Sequence, residues 1–314
     1  MPARPDPGRE PLPSFPAPWL AAPDGDLAPA TRADPDQPVG NIPALVALMN
    51  EPSFDTHIPN VARIYDYLLG GKDNYAADRA AAQRLTAAIP GAARAARDNR
   101  AFLSRAVHYL ACECGIRQFL DIGTGLPTQG SVHEAAQAAN PSARVVYVDN
   151  DSVVLAHARA LLADNPNVHV AEGELEYPRE MLGRKEIRQW IDFSQPVAIL
   201  LVAVLHFLDD CQPWQAVEAI TRRIAPGSYV VISHVTGDQI TDEAVKQARE
   251  VYTGIAPGTA RSRAQIMTFF DGLKLIEPGL VDVAAWRSGR ELPTRPTLFW
   301  AGVGRKPGVQ DGPQ

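Results

Sequence analysis

From residue 116 onward, short apolar runs recur with helix-like stretches between them, and this alternation restricts the fold more than any other feature of the chain. Runs at 118–122, 144–148, 168–171, 197–204 and 229–233 are rich in Val, Ile and Leu and short enough to read as strands. Helix starts lie between them. Ser131-Val-His-Glu134 is a capping box, Asp151 can cap a helix over 152–163, Pro213 suits a first helical position, and Ser262-Arg-Ala-Gln265 is a second box. Parallel strands need a crossover between them, so this order predicts an α/β fold with a mainly parallel sheet. A strand at 274–276 or 280–283 precedes a last one at 298–303. The chain between these is too short for a crossover helix, so that pair is expected to be antiparallel.

Ahead of the sheet, helical patterns are expected at 59–69, 75–89 and 92–114. The first carries Val61, Ala62, Tyr65, Leu68 and Leu69 on one face and stops at Gly70-Gly71; the third carries Phe102, Leu103, Ala106 and Leu110. Residues 1–52 hold 13 of the 28 prolines, and such a segment buries too little apolar surface to offset its ordering entropy. The expected organisation is a disordered leader over 1–52 with a short helix near 44–49, a helical cap over 53–115, a Rossmann-like domain over 116–305 and a flexible tail over 306–314.

A formal net charge of −6 is unsuited to broad attraction to nucleic acid or anionic membrane. Arg94, Arg97, Arg100 and Arg105 read as a solvated helix face. Cys112, Cys114 and Cys211 lack the number and spacing of a disulfide framework or zinc site and read as small core residues, and no metal is expected. No N-terminal stretch resembles a secretory signal. The longest apolar run, near 197–208, is interrupted by His206 and falls well short of the ~20 residues of a membrane helix, so a cytoplasmic location is expected.

In open α/β sheets, ligands sit beyond the carboxyl ends of the strands at the point where strand order reverses. The first strand is followed by Asp121-Ile-Gly123-Thr-Gly125-Leu-Pro127-Thr128, whose glycines permit positive φ and close approach of backbone to a nucleoside. A pyrophosphate binder wants a helix starting at the glycines and a third glycine at position 128, which is Thr, so a nicotinamide dinucleotide is disfavoured. The second strand is followed by Asp149-Asn150-Asp151. Asp149 lies 26 residues after Gly123, and a carboxylate there can accept both ribose hydroxyls. After the third strand, Glu174 can accept from an adenine amino group or simply be an exposed loop acid.

The segments 119–128, 145–151 and 202–207 together resemble class I S-adenosylmethionine methyltransferases. More narrowly, the chain resembles an S-adenosyl methyltransferase family of high-GC Gram-positive bacteria, long catalogued as a domain of unknown function. Ile64-Tyr-Asp-Tyr-Leu-Leu-Gly-Gly-Lys-Asp-Asn74, Phe269-Phe-Asp-Gly272, Glu277-Pro-Gly279 and Ala301-Gly-Val-Gly-Arg305 extend the likeness over about residues 57–305. The resemblance implies a seven-stranded Rossmann-like sheet with the last strand antiparallel, and S-adenosylmethionine as cofactor with S-adenosylhomocysteine as product. It places cofactor contacts at Gly123, Gly125, Asp149 and Glu174. Position 174 often carries Asp in such families. Asp121, Thr124, Asn150 and Leu175, beside these positions, and Ala203, at the end of the fourth strand, complete the expected cofactor site.

Methyl transfer from a sulfonium needs alignment, exclusion of water and sometimes removal of a proton. His206 and His234, just after the fourth and fifth strands, are candidate general bases, each with a structural alternative. Tyr65, Asp66, Gly70, Gly71, Lys72, Asp73 and Asn74 form a polar segment expected to close over cofactor or substrate as a lid. The Asn/Asp-Pro-Pro-aromatic turn that grips the exocyclic amine of a base is replaced by Ala203-Val-Leu-His-Phe207. The expected acceptor is therefore a small molecule rather than nucleic acid. The alternatives are a non-catalytic regulatory protein that binds the same cofactor and, behind it, a nicotinamide oxidoreductase.

Overall fold

The computed structural model describes residues 55–127, 130–256, 258–289 and 297–308. The expected leader, its short helix and Thr128 lie outside these, as does the tail beyond residue 308. Strands β1 (Gln118–Ile122), β2 (Arg144–Asp149), β3 (Val168–Glu172), β4 (Ala198–Val202) and β5 (Tyr229–Val235) are parallel to one another. Two short strands follow, β6 (Lys274–Leu275) and β7 (Val281–Asp282), and then β8 (Phe299–Arg305). The order is β3-β2-β1-β4-β5-β8-β6, with β7 also paired to β8. β8 runs antiparallel to β5, β6 and β7. The sequence left 274–276 and 280–283 as alternatives. Both form strands of two residues beside β8, so the described sheet has eight strands where seven were expected.

Period-two alternation directs the core. Leu120 and Ile122 of β1 face one apolar layer with Val146, Val148, Ile199 and Leu201. Phe119 faces the other with Val145, Ala198, Leu200 and Val231. Helices α6 (Pro178–Gly183), α7 (Lys185–Trp190) and α8 (Gln212–Arg223) cover the first layer through Met181, Ile187 and Ile220. The long helix α3 (Ala92–Cys112) and α4 (Val132–Ala139) cover the second through Phe102, Leu110 and Ala136. Helix α5 (Ser152–Leu162) packs along β2 and β3.

The helical cap is α1 (Val61–Leu69), α2 (Ala76–Ala88) and the start of α3, joined by α9 (Asp242–Tyr252) from the sheet domain. Ile64, Leu68, Ala81, Ala82, Leu85, Ala96 and Val251 form its apolar centre. Asn60 caps α1, accepting from Arg63 N, and its amide donates to Asp151, tying the cap to the start of α5. Asp151 is the N-cap of α5 as read from sequence, accepting from the backbone of Val153 and Val154. A short helix α10 (Arg263–Met267) begins at the expected Ser262 box. No helix among the described residues is long and apolar enough to cross a membrane.

Candidate active site

Strand order reverses between β1 and β4, and there the carboxyl edge of the sheet opens into a cavity of ≈ 550 Å³ beneath the cap. The cavity brings together Asp121, Gly123, Thr124, Gly125, Asp149, Asn150, Glu174, Leu175 and Ala203, all nine positions expected to form the cofactor site.

The glycine loop is held from both sides. Gly123 N donates to Val148 O at 2.8 Å, and its φ is 72°. A Cβ on Gly123 would lie 2.4 Å from Cγ2 of Val204, so both conformation and space require glycine. Gly125 N donates to Oδ2 of Asp149 at 2.9 Å, while Asp151 N donates to Oδ1 at 3.0 Å. The backbone of Asn150 also donates to this carboxylate, and since a carboxylate has about four acceptor sites, it retains room for a further donor. Burial raises the Asp149 carboxyl above its ordinary range, against the backbone donors that lower it.

Asp121 is also buried and accepts from Thr124 Oγ1 at 3.1 Å. Its pKa is pushed up to about 6, chiefly by burial, with Arg100 opposing the rise. Arg100 reaches the cavity from α3 and has a buried Nε without a hydrogen-bond partner among the described residues. This corrects the reading of four arginines as one solvated face. Arg94 and Arg97 are exposed, but Arg100 is drawn inward, and Arg105 donates to the carbonyls of Trp286 and Val283 at 2.8 and 2.6 Å. Arg94 and Arg105, about three turns apart, lie on one side of α3, so what differs between them is the chain packed beside each turn. The cysteine reading also needs correction: Cys112 and Cys211 are exposed, and Cys114 is half-buried beside the second core layer.

The two histidines part company. His206, on the 3₁₀ turn Leu205–Phe207, lines the cavity at 7% exposure, and its Nδ1 has no partner among the described residues. Burial, followed by the neighbouring His234 and Arg261, holds its pKa well below the ordinary imidazole value. His234 is fully buried and does not line the cavity. Its Nδ1 lies 2.7 Å from Val235 O and its Nε2 3.0 Å from Nη1 of Arg261. The contact with a carbonyl places the proton on Nδ1, leaving Nε2 to accept from the guanidinium. With both nitrogens engaged, His234 cannot serve as a base, and its pKa is lowered to about 3, mainly by burial.

The expected lid is also divided. Tyr65 lines the cavity, whereas Asp66, Gly70, Gly71, Lys72, Asp73 and Asn74 do not. Asp66 instead organises the turn after α1: its Oδ2 accepts from Asp73 N at 3.0 Å and Asn74 Nδ2 at 2.8 Å. A Cβ on Gly71 would lie 1.9 Å from Asp66 Oδ1, so the crowding of polar residues and glycines there has a structural cause. Tyr65 joins a relay that the sequence did not reveal. Asn99 Nδ2 donates to Tyr65 Oη at 2.9 Å, Ser233 Oγ donates to Asn99 Oδ1 at 2.6 Å, and Ala203 N lies 3.0 Å from Ser233 Oγ. Ala203 has a φ of 57°, uncommon for a residue with a Cβ, so the relay supports a strained turn at the cavity floor.

The chain matches the model of a family described as S-adenosyl methyltransferase over residues 48–307. A solved presumed methyltransferase of Thermobifida fusca shares 43% identity, with 81% of this chain and 97% of that one covered and a TM-score of 0.77. A DUF574 family protein of Streptomyces avermitilis shares 37% identity, with 81% and 99% covered and a TM-score of 0.76. No curated protein sequence matches. The residues of the cavity fit S-adenosylmethionine: a glycine cradle that a Cβ would fill, buried acids at the strand ends, and an arginine with an orphaned donor. The fold, the cavity at the strand reversal and the match over most of its length agree: the chain belongs to the S-adenosyl methyltransferase family.

Proposed function

We propose that the chain methylates a small-molecule acceptor held in the same cavity as S-adenosylmethionine. The observation that carries this reading is the cavity at the strand reversal, which gathers the glycine loop, the acids at the ends of β1 and β2 and after β3, and a buried imidazole whose Nδ1 has no partner among the described residues. When bound, S-adenosylmethionine supplies a methyl group on a sulfonium, displaced in line by the acceptor. Asp149 would accept from the ribose hydroxyls through the acceptor capacity that the backbone of Gly125, Asn150 and Asp151 leaves. Glu174 and Asn150, at the exposed mouth, would meet the adenine side, with Leu175 packing beneath it. Asp121 would face the ammonium of the amino acid portion. Arg100 would face its carboxylate, giving the orphaned Nε–H an acceptor.

Calorimetric titration with S-adenosylmethionine and S-adenosylhomocysteine is the direct test. Wild type should bind both, and Asp149→Ala should bind at least about tenfold more weakly, consistent with loss of a charge-assisted hydrogen bond. Equal affinity in wild type and variant would remove Asp149 from the site.

A further inference from the structure

The cavity runs along the sheet edge and changes character as it goes. Over β3, β2 and β1 it is lined by Glu174, Asn150, Asp149 and Asp121; over β4, β5 and β8 it is lined by Phe207, Val235, Leu298 and Phe299. The cap and α9 close this second half with Leu68, Leu85, Val245, Ala248 and Tyr252, while Thr236 and the exposed Arg249 supply its polar contacts. Phe207 and Tyr252 meet edge to face at 6.0 Å, and the His206 ring lies 4.2 Å from Phe207 and 6.2 Å from Phe299, centroid to centroid. His206 thus stands in the apolar half, on the turn that follows β4, the strand that adjoins β1 and the polar half. An apolar chamber edged by aromatic rings suits a flat apolar body, and a buried imidazole without a partner suits a proton to be removed.

Resting on the methyltransferase reading above, we infer that the acceptor is an apolar ring compound bearing an acidic hydroxyl, a phenol or enol, seated over β4, β5 and β8 with His206 as its general base. A neutral amine can attack a methyl group before it loses a proton, and needs no base at that point. A hydroxyl gains nucleophilicity as its proton leaves. The acceptor oxygen forms its bond to the methyl carbon as the carbon–sulfur bond breaks, the electron pair of that bond remains on sulfur, and the hydroxyl proton passes to His206. His206 then releases this proton to solvent as the cavity opens. Burial keeps His206 neutral but also makes it a weak base. A phenol, roughly six pKa units more acidic than water, matches such a base better than an aliphatic alcohol does.

The test uses 2-naphthol as probe, titrated calorimetrically into the full chain saturated with S-adenosylhomocysteine. Wild type should bind 2-naphthol without displacing S-adenosylhomocysteine. Ala248→Trp and Val245→Trp, which fill the chamber from α9, should weaken the probe at least tenfold while S-adenosylhomocysteine affinity stays within about twofold. That retained affinity also reports that each variant is folded. With labelled S-adenosylmethionine, methyl should pass to 2-naphthol and not to 2-naphthylmethanol. His206→Gln should keep the probe affinity, lose transfer near neutral pH and regain it about tenfold per pH unit as the phenol ionises.

If S-adenosylhomocysteine binds but 2-naphthol does not, or if the two compete, the acceptor inference fails and the methyltransferase reading stands. If His206→Gln follows the wild-type pH profile, the base role fails. If S-adenosylhomocysteine itself does not bind, both readings fall together.

Discussion

Asp121 concentrates the physical tension of the site in one residue. Its pKa rises from 3.8 to about 6 because burial disfavours the carboxylate more than Arg100 and Thr124 support it. A carboxyl raised in the folded state binds its proton more tightly there than in the unfolded chain. Its stabilising contribution is therefore full below about pH 3.8 and lost as pH rises through about 6. Asp121→Asn removes this titration. Relative to wild type, the variant should gain on the order of 2–3 kcal/mol between pH 4 and pH 7, a shift of about two units at 1.36 kcal/mol each. Urea unfolding of both proteins across that range measures the difference; a constant offset would show that Asp121 does not titrate there. A second outcome follows from Gly123. Gly123→Ala meets both a φ of 72° and Val204, so S-adenosylhomocysteine binding should fall at least tenfold, with about 1–3 kcal/mol of stability lost. Asp121, Gly123 and Asp149 could be picked out in the sequence because each lies at the carboxyl end of a strand or just past it, and the sheet edge fixes where such residues go. Arg100 and Asn99 could not. They sit in a helix whose surface pattern is ordinary, and their inward placement depends on how α3 crosses the sheet.

At the scale of elements, the cap is joined by ionic and polar contacts as well as apolar ones. Arg63 and Asp78 form an ion pair at 2.8 Å with side chains only 5% and 0% exposed. Asp78 also accepts from the backbone of Asn60 and Tyr75, each at 2.8 Å, so one carboxylate fastens the starts of α1 and α2. Asp78→Ala would leave the Arg63 guanidinium buried beside a lost partner and free two backbone donors. The expected cost is about 3–5 kcal/mol, the range for breaking a buried pair from one side. Chemical denaturation measures it, and a loss under about 1 kcal/mol would mean that the pair is not held as described. The sequence pointed to the first and third cap helices through their apolar stripes, to the second through its alanine content and the stop at Pro90, and to the parallel strands through runs of Val, Ile and Leu. It left the choice between β6 and β7 open because two-residue strands are too short for periodicity to register, and their pairing is decided by β8. The polar motif after α1 misled for a related reason. A buried aspartate that closes its own turn and a lid rich in polar residues have the same composition, and only the contacts of Asp66 separate them.

On the scale of the whole molecule, the cavity belongs to neither layer alone. Asn60, Tyr65, Asn99 and Arg100 come from the cap and its long helix, while Gly123, Asp149, Ala203 and His206 come from the sheet edge. The relay from Tyr65 through Asn99 and Ser233 to Ala203, and the Asn60–Asp151 contact, cross the same boundary. A ligand that touches both sides should stabilise both together. S-adenosylhomocysteine at about 100 times its dissociation constant should add about 2.7 kcal/mol to the unfolding free energy. For a domain of this size, each kcal/mol moves the melting temperature by roughly 2–4 °C, giving an expected rise of roughly 5–10 °C in one cooperative transition. Asp149→Ala at the same ligand concentration should show a much smaller rise, since its weaker binding lowers the ratio of ligand to dissociation constant. Calorimetric scans distinguish the alternatives. Two transitions, only one of them moved by ligand, would show that the cap unfolds independently and that the cofactor is held by the sheet edge alone. A single transition that moves as a whole would mean that cap docking and cofactor binding are one equilibrium, so that a substitution loosening the Arg63–Asp78 pair would weaken S-adenosylhomocysteine without touching it.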